Sequence, residues 1–212
     1  MKFVSVDYDT INLDTFKNFD GIKVIVFDFD FTLYKGLEWK GYNEFFISSI
    51  RKLFLDLSDD EFCTYLKKYH ITSSDRVSEN TARLMIDLYG SAEKLVDFLK
   101  IIKFPANWKE ARIFPNELLE ELGKRYKLYI LSNSARENIE FVSSNLGIEL
   151  KFFSDILPNN FEKEDLSKMH RLREILLREN VGADQILMVG DSVEYDLEPA
   201  RRLGAKTLLI SD

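Results

Sequence analysis

An α/β fold on a doubly wound, Rossmann-like parallel sheet is what this sequence predicts, and three observations carry that prediction. Short apolar runs recur at 24–27, 127–131, 185–189 and 206–210, each of strand length. Stretches of helical period separate the later runs, and such alternation argues for parallel strands with helices on both faces. Three of the runs end in polar residues: Asp28 and Asp30 after the first, Ser132 and Asn133 after the second, Gly190 and Asp191 after the third. Ligands of open α/β sheets bind beyond the carboxyl ends of the strands. The three segments are therefore expected to meet in one crevice.

Residues 1–21 mix apolar and acidic side chains and close on Asp20-Gly21, a turn signal. They are expected to add an edge strand or a short arm. From Tyr34 to Arg112 the chain has almost no β-run. Phe45, Phe46, Ile50, Leu53 and Phe54 recur at spacings of three and four, which predicts a helix over 42–56. A second helix is expected over 59–69, a third from Ser74 or Asp75 to Tyr89, and a fourth after Ser91 as its N-cap. Four helices inserted after the first strand predict a small helical domain over 35–112. The core would then comprise 1–34 and 113–212. Within it, helices are expected over 116–126, over 135–146 with Gly147 as terminator, over 165–180, and before Gly204. Phe152-Phe153 mark a further short strand.

The chain has 212 residues, 45% hydrophobic and 31% charged, ordinary values for a globular protein with one sizeable core and a smaller insert. Its net charge of −7 and lack of a long basic run argue against nucleic acid bound mainly through its phosphates. No apolar stretch approaches the roughly 20 residues that span a bilayer, so no membrane partner is expected. The first residues lack a secretory signal pattern, and a cytoplasmic location is expected. Cys63 is the only cysteine and reads as a buried, inert thiol on a helix. His70 and His170 are too isolated for a zinc site and read as surface or capping residues.

The chemistry concentrates where the first run ends. Asp28 and Asp30 are two carboxylates two residues apart, and like charges so close raise at least one pKa. Such crowding is tolerated where a cation sits between the acids or a proton is moved. Asp191 and, five residues on, Asp196 bring two more acids to the end of the third run. Asp196, followed by Leu197, Glu198 and Pro199, also reads as an N-cap with proline in the first turn.

These segments resemble the haloacid dehalogenase superfamily. Asp28-Phe29-Asp30-Phe31-Thr32-Leu33 is similar to its first motif, Asp-x-Asp-x-Thr, and Ser132 after Leu-Tyr-Ile-Leu to its second. Lys168 is the best candidate for the third, with Lys163 as competitor, and Gly190-Asp191 through Asp196 is similar to the fourth. The resemblance covers 22–33 and 113–211. It makes the insert an α-helical cap and the protein a hydrolase of the phosphatase branch. Phe31 is a departure, because many members carry glycine there.

The resemblance implies hydrolysis of a phosphomonoester from a small phosphorylated metabolite. Asp28 would be the nucleophile, giving an aspartyl-phosphate. Asp30 would protonate the leaving oxygen and then activate water; the dehalogenase branch lacks an acid there. Asp28 and Asp191 are hard oxygen donors suited to Mg²⁺, with Asp196 as a further candidate and Asp30 added through its backbone carbonyl. Thr32, Ser132, Asn133 and Lys168 are the expected phosphate-binding residues. Tyr34, Trp39, Tyr42 and Arg51 are candidates to reach the site and select the leaving group. A phosphomutase or other phosphotransferase would use the same acids, and a phospho-aspartyl regulatory module without turnover is a third reading. The protein is expected as a monomer or homodimer.

Overall fold

A computed structural model describes residues 4–34, 39–72, 77–102, 112–159 and 168–211. Its six strands are β1 (Val4–Asp7), β2 (Val24–Phe27), β3 (Lys127–Leu131), β4 (Asp155–Leu157), β5 (Ile186–Gly190) and β6 (Lys206–Ser211). They form one sheet in the order β1-β6-β5-β2-β3-β4, parallel at every pairing. The helices are α1 (Leu13–Lys17), α2 (Trp39–Ile50), α3 (Asp59–Lys68), α4 (Val77–Tyr89), α5 (Glu93–Ile101), α6 (Asn116–Gly123), α7 (Arg136–Leu146), α8 (Lys168–Glu179) and α9 (Glu198–Arg202).

The central strands are apolar without interruption because both faces are covered. Alternate side chains enter different cores. Ile25, Phe27, Leu128, Ile130, Leu187 and Val189 join Leu119 of α6 and Ile139 of α7 on one face. Val24, Val26, Tyr129, Leu131, Ile186 and Met188 meet Leu172 and Ile175 of α8 and Ala200 of α9 on the other. Chain order reverses at β2, with β3 on one side and β5 on the other, so the switch-point crevice opens beyond these strands.

A third buried cluster belongs to the helices that follow β2. Phe46, Ile50, Phe54, Phe62, Leu66, Leu84, Met85, Leu95 and Leu99 pack there, and among the described residues Ala135 is its one buried member from beyond residue 102. The four expected helices are present as α2 to α5. The first stops earlier than its periodicity suggests: α2 ends at Ile50, a 3-10 turn covers Arg51–Leu53, and Phe54 leaves the helical region. Ser58 and Glu61 form a capping box that starts α3. Ser91 is not the N-cap of α5: Ala92 holds that position, and the Ser91 hydroxyl, one residue further out, accepts from the Glu93 N–H at 3.0 Å. Ser74 and Asp75 lie outside the described residues.

Four other expectations are corrected. The strand expected at Phe152-Phe153 lies at Asp155–Leu157, because 150–152 form a 3-10 turn before it. The helix after Pro115 ends at Gly123 rather than 126. Cys63 is exposed, not buried; α3 buries Phe62 and Leu66, and the next position along a helix faces elsewhere. Arg51 does not reach the crevice: its guanidinium binds Phe54 O at 2.5 Å, Leu57 O at 3.0 Å and Asp59 at 2.9 Å. The arm at 4–21 supplies edge strand β1, paired with β6 from Val4↔Leu208 to Asp7↔Ser211. Among the described residues no helix is long and apolar enough to cross a membrane.

Candidate active site

Register brings the motif residues together. Phe27 lies opposite Val189 and Ile130, and the Asp28 N–H continues the ladder to Val189 O at 2.9 Å. Asp28 therefore leaves β2 beside Gly190 and Asp191 on one flank and Ser132 on the other. Ser132 N–H continues its own ladder to Leu157 O at 3.2 Å.

Asp28, Asp191 and Asp196 each offer a carboxylate oxygen within 4.8 Å of one another. Lys168, the first residue of α8, places its ammonium among them. It bonds Asp28 Oδ1 and lies 2.6 Å from Asp196 Oδ1, and the ammonium and both carboxylates are buried. Thr32 Oγ1 spans Asp28 Oδ2 at 3.5 Å and Asp191 Oδ1 at 3.4 Å. Lys163 and the stretch 161–165 lie outside the described residues.

Asp196 is not the N-cap its neighbours suggest. It sits inside a π-helical turn, Val193–Leu197, and Leu197 precedes α9 without a side-chain cap. Such turns insert a residue and re-aim a side chain. Here the turn carries Asp196 inward, where Oδ2 accepts from Ser192 N–H at 2.9 Å. Gly190 makes room for it: a Cβ at that position would stand 2.5 Å from Asp196 Cβ.

Asp30 stands apart from this group. Its Oδ1 accepts from Tyr34 Oη at 2.6 Å, and its Oδ2 accepts from Ser134 Oγ at 2.7 Å and Ser132 Oγ at 3.4 Å. Tyr34 is held in that pose by an edge contact with Phe29, ring centroids 5.3 Å apart. Phe31, next in chain, has φ +59, the left-handed region where glycine is at ease.

Asn133 is clamped. Its Nδ2 donates to Glu79 of α4, and its Oδ1 accepts from Arg171 Nη2 at 2.7 Å. Arg171 Nη1 also holds Ser132 O at 2.5 Å and Leu157 O at 3.1 Å. The helical insert therefore touches the core beside Ser132, on the carboxyl side of the sheet. Ser134, Glu79 and Arg171 escape sequence reading. Glu79 and Arg171 are separated from Asn133 by more than thirty residues, and no local pattern marks them. Ser134 had a signal, being the second serine of Ser132-Asn133-Ser134. The side chains of Trp39 and Tyr42 lie outside the described part.

The charges are unbalanced. Burial raises the Asp28 carboxyl well above its ordinary range; the Lys168 ammonium opposes this, and Asp196, Asp191 and Asp30 add to it. Burial, with Asp196 beside it and Lys168 opposing, pushes Asp191 up to about 7. Burial pulls the Lys168 ammonium down, but Asp196 and Asp28 more than reverse this, and it stays above its ordinary value. Among the described residues three carboxylates share one ammonium, so the ionised cluster carries a net charge of −2 there. A divalent cation fits such a donor set, all hard oxygen, and its charge would reverse the upward shifts.

Comparison with known proteins agrees with the geometry. The family of haloacid dehalogenase-like hydrolases matches residues 22–204. The chain belongs to this family and is a haloacid dehalogenase-like hydrolase. Among solved structures it is similar to a haloacid dehalogenase-like family protein of Streptococcus pneumoniae, with 21% identity, 90% of this chain and 85% of that one covered, and a TM-score of 0.52. A phosphatase of the same family from Thermococcus onnurineus gives 21% identity, 90% and 86% coverage and a TM-score of 0.51. A 2-haloacid dehalogenase from Pseudomonas syringae pv. Tomato gives 20% identity, 89% and 86% coverage and a TM-score of 0.52. At these identities the likeness concerns the fold, and it spans proteins of both chemistries. Among curated proteins no significant match is found.

Proposed function

We propose that this hydrolase is a Mg²⁺-dependent phosphatase acting on the monoester of a small phosphorylated metabolite. The observation that carries the reading is Asp30: a second acid two residues from Asp28, held by Tyr34, Ser132 and Ser134. Breaking a carbon–halogen bond needs no proton on the leaving group, whereas releasing an alkoxide does.

In this reading a carboxylate oxygen of Asp28 attacks phosphorus, and the bond to the leaving oxygen breaks as Asp30 gives that oxygen its proton. Asp30, now a carboxylate, takes a proton from water. The resulting hydroxide attacks the aspartyl-phosphate, releasing phosphate and restoring Asp28. Lys168 offers a cation beside Asp28, and Ser132 with Asn133 offers donors to the phosphoryl oxygens. Thr32 keeps Asp28 and Asp191 facing each other. Asp28, Asp191 and Asp196 would hold Mg²⁺, with the backbone carbonyl of Asp30 added by analogy with the family. The ion would neutralise charge on the phosphoryl oxygens, the main part of catalysis in phosphoryl transfer. The helices between 35 and 112 would form a cap that covers the crevice, a reading supported by the Glu79–Asn133 contact.

The test is turnover of a generic aryl phosphate. Hydrolysis with Mg²⁺ that EDTA stops supports the proposal, and undiminished hydrolysis in EDTA removes the metal from it. Release of halide from a 2-haloacid, with no phosphate release from any monoester, would overturn the reaction class.

A further inference from the structure

The arm before β2 enters the site through a hydrogen bond from Tyr8. β1 is parallel to the other strands, so its carboxyl end lies on the same edge as Asp28, Ser132 and Asp191. Tyr8 follows β1 there, partly buried against the main core. Its Oη donates to the backbone carbonyl of Phe31 at 3.1 Å. Phe31 is a residue whose backbone needs holding. Its φ of +59 costs a side-chain-bearing residue roughly a factor of ten in its local equilibrium, and strain of this kind persists only where neighbours over-determine it.

The turn around Phe31 sets both flanking groups. Leu33 N–H bonds Phe29 O at 3.0 Å, which closes the turn. Asp30 before it faces Tyr34 and Ser134; Thr32 after it faces Asp28 and Asp191. If Phe31 relaxed to negative φ, both side chains would lose these partners together. We propose that Tyr8 is a positioning residue of the hydrolase: its hydrogen bond holds the left-handed turn at Phe31 and thereby the placement of Asp30 and Thr32. The arm is thus part of the working site and not only an edge to the sheet. The kinetic consequence rests on the phosphatase reading; the conformational one does not.

The test is a double-mutant cycle in the full chain, read by kcat and KM on an aryl phosphate and by urea midpoint. Tyr8→Phe keeps the ring and removes the hydroxyl. It is expected to lower kcat about threefold to tenfold, the range of one hydrogen bond, with KM within about twofold. In a Phe31→Gly background, where glycine takes positive φ without cost, the same change is expected to cost less than about twofold. In a Phe31→Ala background the strain remains, and the full cost of Tyr8→Phe should return. Equal costs in all three backgrounds, or none in any, would overturn the proposal. The urea midpoints follow the same pattern whatever the reaction is. A wild-type protein inert on phosphate esters therefore defeats the phosphatase reading, while the midpoints still decide the role of Tyr8.

Discussion

Lys168 Nζ lies 2.6 Å from Asp196 Oδ1 and also bonds Asp28 Oδ1, with all three groups buried. One ammonium therefore ties the loop after β5 to the loop after β2. The link joins residues 140 and 28 positions apart in sequence.

Removing that ammonium leaves buried carboxylates without compensation. Lys168→Met should lose about 3–5 kcal/mol of stability, read as a lower urea midpoint, and at least a hundredfold in kcat/KM. Added Mg²⁺ should recover part of the stability. A variant as stable and active as wild type would mean that Lys168 does not carry the cluster.

Gly190 tests the same contact from below. A methyl group there overlaps Asp196, so Gly190→Ala must displace that side chain and break its pair with Lys168. The expected loss is about 1–3 kcal/mol, with reduced turnover. Adding Asp196→Asn to Gly190→Ala should cost less than Asp196→Asn costs alone, since the two changes act on one contact. Fully additive losses would contradict the clash.

The metal-free protein should become less stable as pH rises. Burial, with Asp196 beside it, raises Asp191 from 3.8 to about 7, so the folded state holds a proton that the unfolded chain releases near pH 4. That contribution is complete below pH 4 and is lost as pH climbs through 7. Melting temperature in EDTA should therefore fall between about pH 4 and 7 and level off above it. With Mg²⁺ the fall should shrink, because a cation favours the ionised acids. A melting temperature in EDTA that rises over this window would contradict the charge balance assigned to Asp191.

Much of this architecture is legible in local sequence. Val24–Phe27 and Lys127–Leu131 are apolar at every or nearly every position, which only a strand covered on both faces needs. Ser58 with Glu61, and Gly147 at φ +67, mark helix ends by chemistry that acts within four residues. The site's acids are legible because they follow the strands directly. What escapes is longer in range or turns on one dihedral. Asp196 reads as a cap because its neighbours are cap-like, but a π-turn re-aims it toward Lys168. The meaning of Phe31 depends on a φ that its residue type disfavours. Glu79 and Arg171 meet Asn133 only after the helical insert packs on the core.

That last contact predicts a dependence on the insert. Glu79→Ala leaves the Asn133 amide without its acceptor and should destabilise by about 1–3 kcal/mol. Glu79→Gln, which still offers a carbonyl, should cost less. Urea titration of the two variants checks the order, and equal stability of Glu79→Ala and wild type would show that the junction contributes nothing.

The most direct test of the central claim is to catch the phosphoryl group on the protein. Asp30→Asn cannot activate water, yet an aryl phosphate releases its phenolate with little help from an acid. The variant, mixed with an aryl phosphate and Mg²⁺ and quenched in acid, should therefore accumulate a phosphorylated form. Peptide mass mapping should place the added phosphoryl group on Asp28. Phosphate bound to another residue, or steady turnover by Asp28→Asn, would contradict the account.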